Sequence, residues 1–171
     1  TYGYMWILKS RIFPDKQWEN KTSLSYGLFI WLGLSLYWIS PYIIISGNSV
    51  LPFSIPIYPI YIFFCLTIYI LGVFLHFTSD MQKFIQLKLK KGNLIDNGMF
   101  NSLRNTNYLG ELFIYLGFSL LALDWAPLIV LLVFIITIWI PNMYRKDKSL
   151  AKYSDFKKYK SRTKRFIPFI W

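Results

Sequence analysis

The sequence predicts an all-α fold, a polytopic membrane bundle of about four transmembrane helices followed by a basic amphipathic tail. Three observations carry that reading. The 171 residues are 55% hydrophobic and 20% aromatic but only 16% charged, a balance unlike that of ordinary soluble domains. The apolar residues collect in long blocks separated by short polar ones, the pattern a bilayer imposes on a chain. The nineteen Lys and Arg residues fall in three places: four before Leu24, five between Asp80 and Arg104, and ten from Arg145 onward.

The first apolar block, 24–46, is uncharged over a length that spans a hydrocarbon core of roughly 30 Å. Only Pro41 interrupts it. The second, 55–77, is also uncharged, opens with Pro56 and Pro59 and closes at His76. A third apolar region is broken by Asp124, Trp125 and Pro127, so it reads as two helices, 108–122 and 126–142, joined by a tight turn. Both are short for full spans. Pro127 fits the first turn of the later helix, where its missing N–H costs little, and Pro141 marks the exit. Gly98 permits the turn that brings the loop 80–107 back to the membrane. With the tail 145–171, the whole chain reads as a single membrane domain.

Basic residues stay preferentially on the cytoplasmic side of a membrane. A multi-pass protein with both termini and the central loop cytoplasmic, in a bacterial inner membrane or the endoplasmic reticulum, satisfies every cluster. The net charge of +11 is then directed at anionic headgroups of membrane lipids rather than at nucleic acid, for which no motif accompanies the charge. One Cys65 and one His76 leave no basis for a disulfide, a metal cluster or Ser-His-Asp catalysis. No glycine-rich GxGxxG or GxxxxGKS loop is present, which argues against a Rossmann or P-loop nucleotide site. The chain opens at Thr1 without a cleavable signal and reads as a fragment.

Three polar clusters remain for chemistry. His76, Ser79, Asp80, Gln82 and Lys83 stand at the inner end of the second helix. Arg104, Asn105, Asn107, Tyr108 and Glu111 stand at the start of the third. The tail supplies Arg145, Asp147, Lys152, Tyr153, Tyr159, Arg162, Lys164 and Arg165. Glu111 is the most informative, because a carboxyl one turn inside an apolar helix is expensive and usually faces a partner or a cavity. Asn107 shares its face at i−4, with Tyr108 adjacent at i−3. The bland alternative is a helix-start carboxylate capped by Asn107 and favoured by the macrodipole. Asp80 admits a similar contest, between a polar pocket shared with His76 and a surface pairing with Lys83 or Lys88. The tail's alternation of basic and aromatic residues suits an interfacial helix and equally a nucleotide cofactor, whose phosphates cations bind and whose base aromatic faces stack on.

The run SDMQKFIQLKLKKGNLIDNGMFNSLRNTNYLGELFIYLGFSLL and the ending KYSDFKKYKSRTKRFIPFIW resemble the C-terminal domain of the steroid 5-alpha-reductase family, including its uncharacterised bacterial branch and, more distantly, the sterol C14 reductases. The strongest elements are Asn107-Tyr108-Leu109-Gly110-Glu111 and Ile167-Pro168-Phe169. The resemblance implies a membrane reductase that transfers hydride from NADPH to a conjugated carbon–carbon double bond of a small lipophilic substrate. It implies that polar residues of the loop and tail hold the cofactor, namely His76, Asp80, Lys88, Arg104, Asn107, Arg145, Tyr153, Tyr159 and Arg162. Glu111, with Tyr108, would be catalytic, hydrogen-bonding the substrate carbonyl or orienting a tyrosine that does. Many relatives carry Arg-His-Pro-Asn-Tyr where this chain has Arg104-Asn105-Thr106-Asn107-Tyr108. A methyltransferase branch, acting on phospholipids or prenylcysteine, uses a related Arg-His-Pro signature to bind S-adenosylmethionine. This chain lacks its His and Pro, which weakens that reading more than the reductase, and S-adenosylmethionine stands as the alternative cofactor. A non-enzymatic lipid-binding protein is the second. Characterised family members add N-terminal helices that bring a tyrosine and a carboxylate to the steroid pocket. Such helices are not expected here, which leaves Tyr2 or Tyr4 as candidates that no motif supports, and steroid itself is not implied as the substrate.

Overall fold

The computed structural model describes residues 2–15, 20–56 and 58–171, and it is helical throughout, with no strand among those residues. Helix α1 (Tyr2–Ile12) precedes α2 (Leu24–Ser35), a 3-10 turn Leu36–Trp38, and α3 (Ile39–Ser46). Then come α4 (Pro59–Leu89), a 3-10 turn Gly98–Phe100, α5 (Thr106–Leu121), α6 (Trp125–Phe134), a π segment Ile135–Trp139, α7 (Ile140–Leu150) and α8 (Phe156–Arg162). Among the described residues three helical stretches are long and apolar enough to cross a membrane: Leu24–Ser46, Pro59–Leu89 and Trp125–Leu150. Large apolar side chains such as Phe29, Trp31, Ile60, Phe63 and Ile70 stand exposed on them, the surface of an integral multi-pass protein that meets lipid. The fourth expected helix, α5, has 16 residues, roughly 24 Å, and lies packed against α4.

Several boundaries depart from the sequence reading. The first span does not break at Pro41. The helix tightens into the 3-10 turn Leu36–Trp38, which relieves the clash between a proline ring and the carbonyl four residues earlier. The second begins at Pro59, a proline at the first helical position, and runs twelve residues past Phe77 to Leu89. Leaving the membrane does not end a helix whose next residues, Met81-Gln82-Lys83, are good helix formers. The loop expected at 80–107 is therefore confined to 90–105. Pro141 does not mark an exit either. The π segment Ile135–Trp139 absorbs it, and the helix continues to Leu150.

Small residues set the α4–α5 distance. A Cβ on Gly72 would lie 2.6 Å from the Ile114 amide and 2.7 Å from the Gly110 carbonyl, and one on Gly117 would lie 2.9 Å from the Cys65 carbonyl. Bare backbones in contact are how membrane helices gain dispersion without a hydrophobic driving force. The expected tight turn at Asp124 is present: the chain turns through Leu123 at φ 50°, and Asp124 caps α6 by accepting from the Ala126 amide at 2.7 Å. Its other oxygen accepts from Ser49 Oγ at 2.6 Å, the Val50 amide at 2.7 Å and the Leu51 amide at 2.9 Å. Burial alone would raise this carboxyl, but these four donors outweigh it and hold it down at about 2. A carboxyl depressed in the folded state adds stability above its ordinary value near 4 that is lost as pH falls through its folded value. Thermal melts of the purified protein should show that loss between about pH 4 and 2. Asp124→Asn, which keeps one acceptor oxygen, should melt at a lower temperature than the wild type at neutral pH and lack the acid step.

At the opposite end Gly98 turns at φ 55°, as its position in the loop suggested. Gln82 reaches the turn, accepting from the Met99 amide at 2.8 Å and donating to the Asn97 carbonyl at 2.9 Å. The tail docks on this loop. Lys164 N–H donates to Ser102 O and Arg104 N–H to Lys164 O, each at 2.9 Å, and Phe156 and Tyr159 pack against Phe100.

Candidate functional site

The motif Asn107-Tyr108-Leu109-Gly110-Glu111 lies where α5 touches α4. Gly110 is required there by contact: a Cβ would stand 2.8 Å from both the Gly72 carbonyl and the His76 Cα. With the backbones this close, His76, 2% exposed, reaches across to both ends of the motif. Its Nδ1 donates to the Asn107 carbonyl at 3.3 Å and stands 3.7 Å from Glu111 Oε1. Its Nε2 faces Asp80 Oδ2 at 3.7 Å and has no hydrogen-bond partner among the described residues, as is true of the buried Asn107 Oδ1. The start of α5 is one residue earlier than Asn107. Asn105 is the cap residue and makes no side-chain cap bond, so Asn107 is not a cap and the bland account of Glu111 loses its partner.

Helix α1, which the apolar pattern did not reveal, covers this cluster. Tyr2, Trp6 and Lys9 recur at helical spacing on its inner face. Lys9 is buried and forms an ion pair with Asp80, so neither Lys83 nor Lys88 fills that role. Lys83 instead pairs with Asp15 at 3.3 Å, and the exposed Lys88 lies over the Phe84 ring at 4.3 Å. Tyr2 and Trp6 pack edge-on and tilted against His76, with ring centroids 6.1 and 5.9 Å away. Tyr2 is hydrogen-bonded to Trp6 and Tyr115, and burial keeps its phenol well above the ordinary range. Tyr2 thus remains an O–H donor at any physiological pH. Tyr4 points away and is 77% exposed.

Farther along α5, Tyr115 stacks on Tyr37 at 3.8 Å and 12°. Tyr108 turns toward Asn142 and Trp139, its ring centroid 5.6 Å from the indole. Tyr108 stands three residues before Glu111 but belongs to the α7 side of the bundle. The arrangement around Glu111 is therefore a carboxyl, an imidazole and the phenol of Tyr2, with Asp80 neutralised by Lys9 one turn away. Such a set can donate hydrogen bonds to a developing oxyanion. Among the described residues no group of His, Cys, Asp or Glu is placed to hold a metal ion.

The tail residues gather elsewhere. Arg104, 4% exposed, donates to Asp147 at 3.1 and 3.3 Å and to the Thr163 carbonyl at 2.8 Å. Arg165 donates to the same carboxylate at 3.1 Å. Lys146 donates to the Arg104 carbonyl at 2.6 Å. Tyr159 is buried and donates to the Phe100 carbonyl at 2.8 Å, and burial raises its phenol. Tyr153 packs beside it. Arg162 pairs with Asp96 at 2.6 Å, while Arg145 is exposed. A cleft of about 210 Å³ is lined by Arg104, Lys160, Thr163, Lys164, Arg165, Ile170 and Trp171, and neither Asp80, Glu111 nor the tail tyrosines take part in it. The structure thus joins His76, Asp80, Asn107 and Glu111 in one cluster and holds the tail residues in a second. Sequence reasoning missed Lys9, Tyr115 and Lys146, whose partners lie far along the chain.

The family model described as 3-oxo-5-alpha-steroid 4-dehydrogenase matches residues 26–171. No curated protein and no solved structure matches the chain. The matched residues take in the α4–α5 contact, the motif that ends in Glu111 and the docked tail, while α1 with Tyr2 and Lys9 lies before them. With an all-helical membrane bundle that carries this motif, the chain belongs to the 3-oxo-5-alpha-steroid 4-dehydrogenase family, membrane oxidoreductases of the steroid 5-alpha-reductase type.

Proposed function

We propose that the protein reduces the conjugated carbon–carbon double bond of a lipid-like enone at the expense of NADPH. The observation that carries this is the convergence of Glu111, His76 and Tyr2 at the α4–α5 contact, 3.7 Å separating the carboxyl from the imidazole. NADPH, when bound, supplies the hydride. The chain's own part is to hold the enone carbonyl by hydrogen bonds from Glu111 in its acid form and from Tyr2, which draws electron density from the distal carbon. His76, fixed by the Asn107 carbonyl, orients Glu111. The buried, unpartnered Asn107 Oδ1 suits the amide N–H of a nicotinamide carboxamide, so the residues present fit the cofactor. In the native orientation we infer, the basic loop and tail face the cytoplasm, where NADPH is available, and the substrate arrives from the bilayer.

Thermal shift on the purified protein tests the cofactor. NADPH should raise the melting temperature and S-adenosylmethionine should not. Asn107→Ala should weaken the NADPH effect about tenfold in concentration. Stabilisation by S-adenosylmethionine alone would replace this reading with methyl transfer.

A further inference from the structure

We propose that the segment 160–171, with Arg104, is a binding site for the phosphate headgroup of an anionic membrane lipid. The argument starts from charge. Four cations, Arg104, Lys160, Lys164 and Arg165, line the cleft that Trp171 closes. Asp147 takes the guanidinium groups of Arg104 and Arg165. Lys160 and Lys164 have no acidic partner among the described residues, so the cleft carries a cation excess that a phosphate diester would neutralise through charge-assisted hydrogen bonds.

A second, independent observation is the rim. Phe169 is 93% exposed and Ile170 is 76% exposed, yet the turn that presents them is well held. The Phe166 and Ile167 amides donate to the Trp171 carbonyl at 2.7 and 2.9 Å, and Phe169 adopts φ 66°, a left-handed conformation that a bulky residue rarely takes. Phe169 beside the cleft and Ile170 at its edge, both exposed, are the pairing by which interfacial segments seat in a bilayer: apolar groups at the acyl boundary and cations at the phosphates.

Depth supplies the third. Arg165 lies over the ring of Tyr144 at 4.0 Å and over that of Trp171 at 5.0 Å. Tyr144 belongs to the last turns of the helical stretch Trp125–Leu150, and tyrosine and tryptophan at the end of a span mark headgroup level. The cleft therefore opens where lipid phosphates lie. A free phosphate or nucleotide would use the cations but leave Phe169 and Ile170 without a purpose. The site is separate from the Glu111 cluster, so its test stands apart from that of the reductase.

The experiment is native mass spectrometry of the protein in detergent with equal amounts of phosphatidylglycerol and phosphatidylcholine. The wild type should retain phosphatidylglycerol at least fivefold over phosphatidylcholine. The Lys160→Gln/Lys164→Gln double variant should bring the two to parity, and Phe169→Ser/Ile170→Ser should lower retention of both. Lys157→Gln/Lys158→Gln, which removes two exposed charges of α8 outside the cleft, should keep the preference. Equal retention by the wild type would overturn the proposal, as would a preference untouched by the Lys160/Lys164 change. Displacement of the lipid by millimolar inorganic phosphate or by NADPH would also overturn it, assigning the cleft to a soluble phosphate.

Discussion

Replacing Glu111 by glutamine is expected to lower turnover of an enone substrate by roughly 10²- to 10³-fold, the usual effect of removing one oxyanion or proton donor, while NADPH affinity changes less than about threefold. Glutamine keeps the shape and a weak N–H donor but offers no acidic O–H to the substrate oxygen. Glu111 stands against a buried imidazole at 3.7 Å, and its side chain is 19% exposed, so solvent cannot readily substitute for the lost group. The fold is expected to survive, because His76 keeps its bond to the Asn107 carbonyl. Steady-state rates and NADPH titrations on the same preparation separate the two effects. Equal loss of turnover and cofactor binding would mean that Glu111 holds the cofactor instead of acting on the substrate.

Replacing Gly110 by valine is expected to abolish the folded state or lower the melting temperature by well over 10 °C. The cause is steric and backbone-bound. A Cβ at this site would stand 2.8 Å from the Gly72 carbonyl and 2.8 Å from the His76 Cα, and backbone cannot swing aside as a side-chain tip does. Opening the α4–α5 contact by the width of a methyl forfeits dispersion along the whole pair and moves His76 from Glu111. Overpacking a tight contact costs typically 1–3 kcal/mol per added group and more where nothing can relax. Alanine should be intermediate, and size-exclusion profiles with thermal melts in detergent would rank the series. A valine variant as stable as wild type would show that the helices have room to separate.

The apolar runs and the placement of lysine and arginine made the helical membrane bundle legible, because a bilayer demands continuous apolar length and leaves little freedom in how a chain meets it. Helix ends were harder. His76 looked like the close of a span, yet α4 continues to Leu89, since hydropathy reports the membrane boundary and not the last helical turn. Pro141 misled for a related reason: the π segment before it removes the clash that would end a regular helix. Within the candidate site, Asn107 and Glu111 were visible as polar residues misplaced in an apolar helix. Lys9 was not, because its partner Asp80 lies 71 residues away and no local pattern encodes that pairing. Gly110 stands inside the motif, but its purpose emerges only when a second helix is laid against it. The tail read equally well as a cofactor binder or an interfacial helix. Folding hides Tyr159 beneath Phe100 and ties Arg162 to Asp96, which moves those two away from the cluster around Glu111.

Single-turnover transfer of deuterium tests the central claim most directly. The protein would be mixed with NADPH deuterated at the transferable C4 position and with a 3-oxo-4-ene steroid or a long-chain enone, and the product weighed by mass spectrometry. The account predicts a saturated ketone carrying one deuterium at the carbon distal to the carbonyl, formed by the wild type and slowed at least 100-fold in Glu111→Gln. A product without deuterium, or formed at the same rate by both proteins, would contradict it.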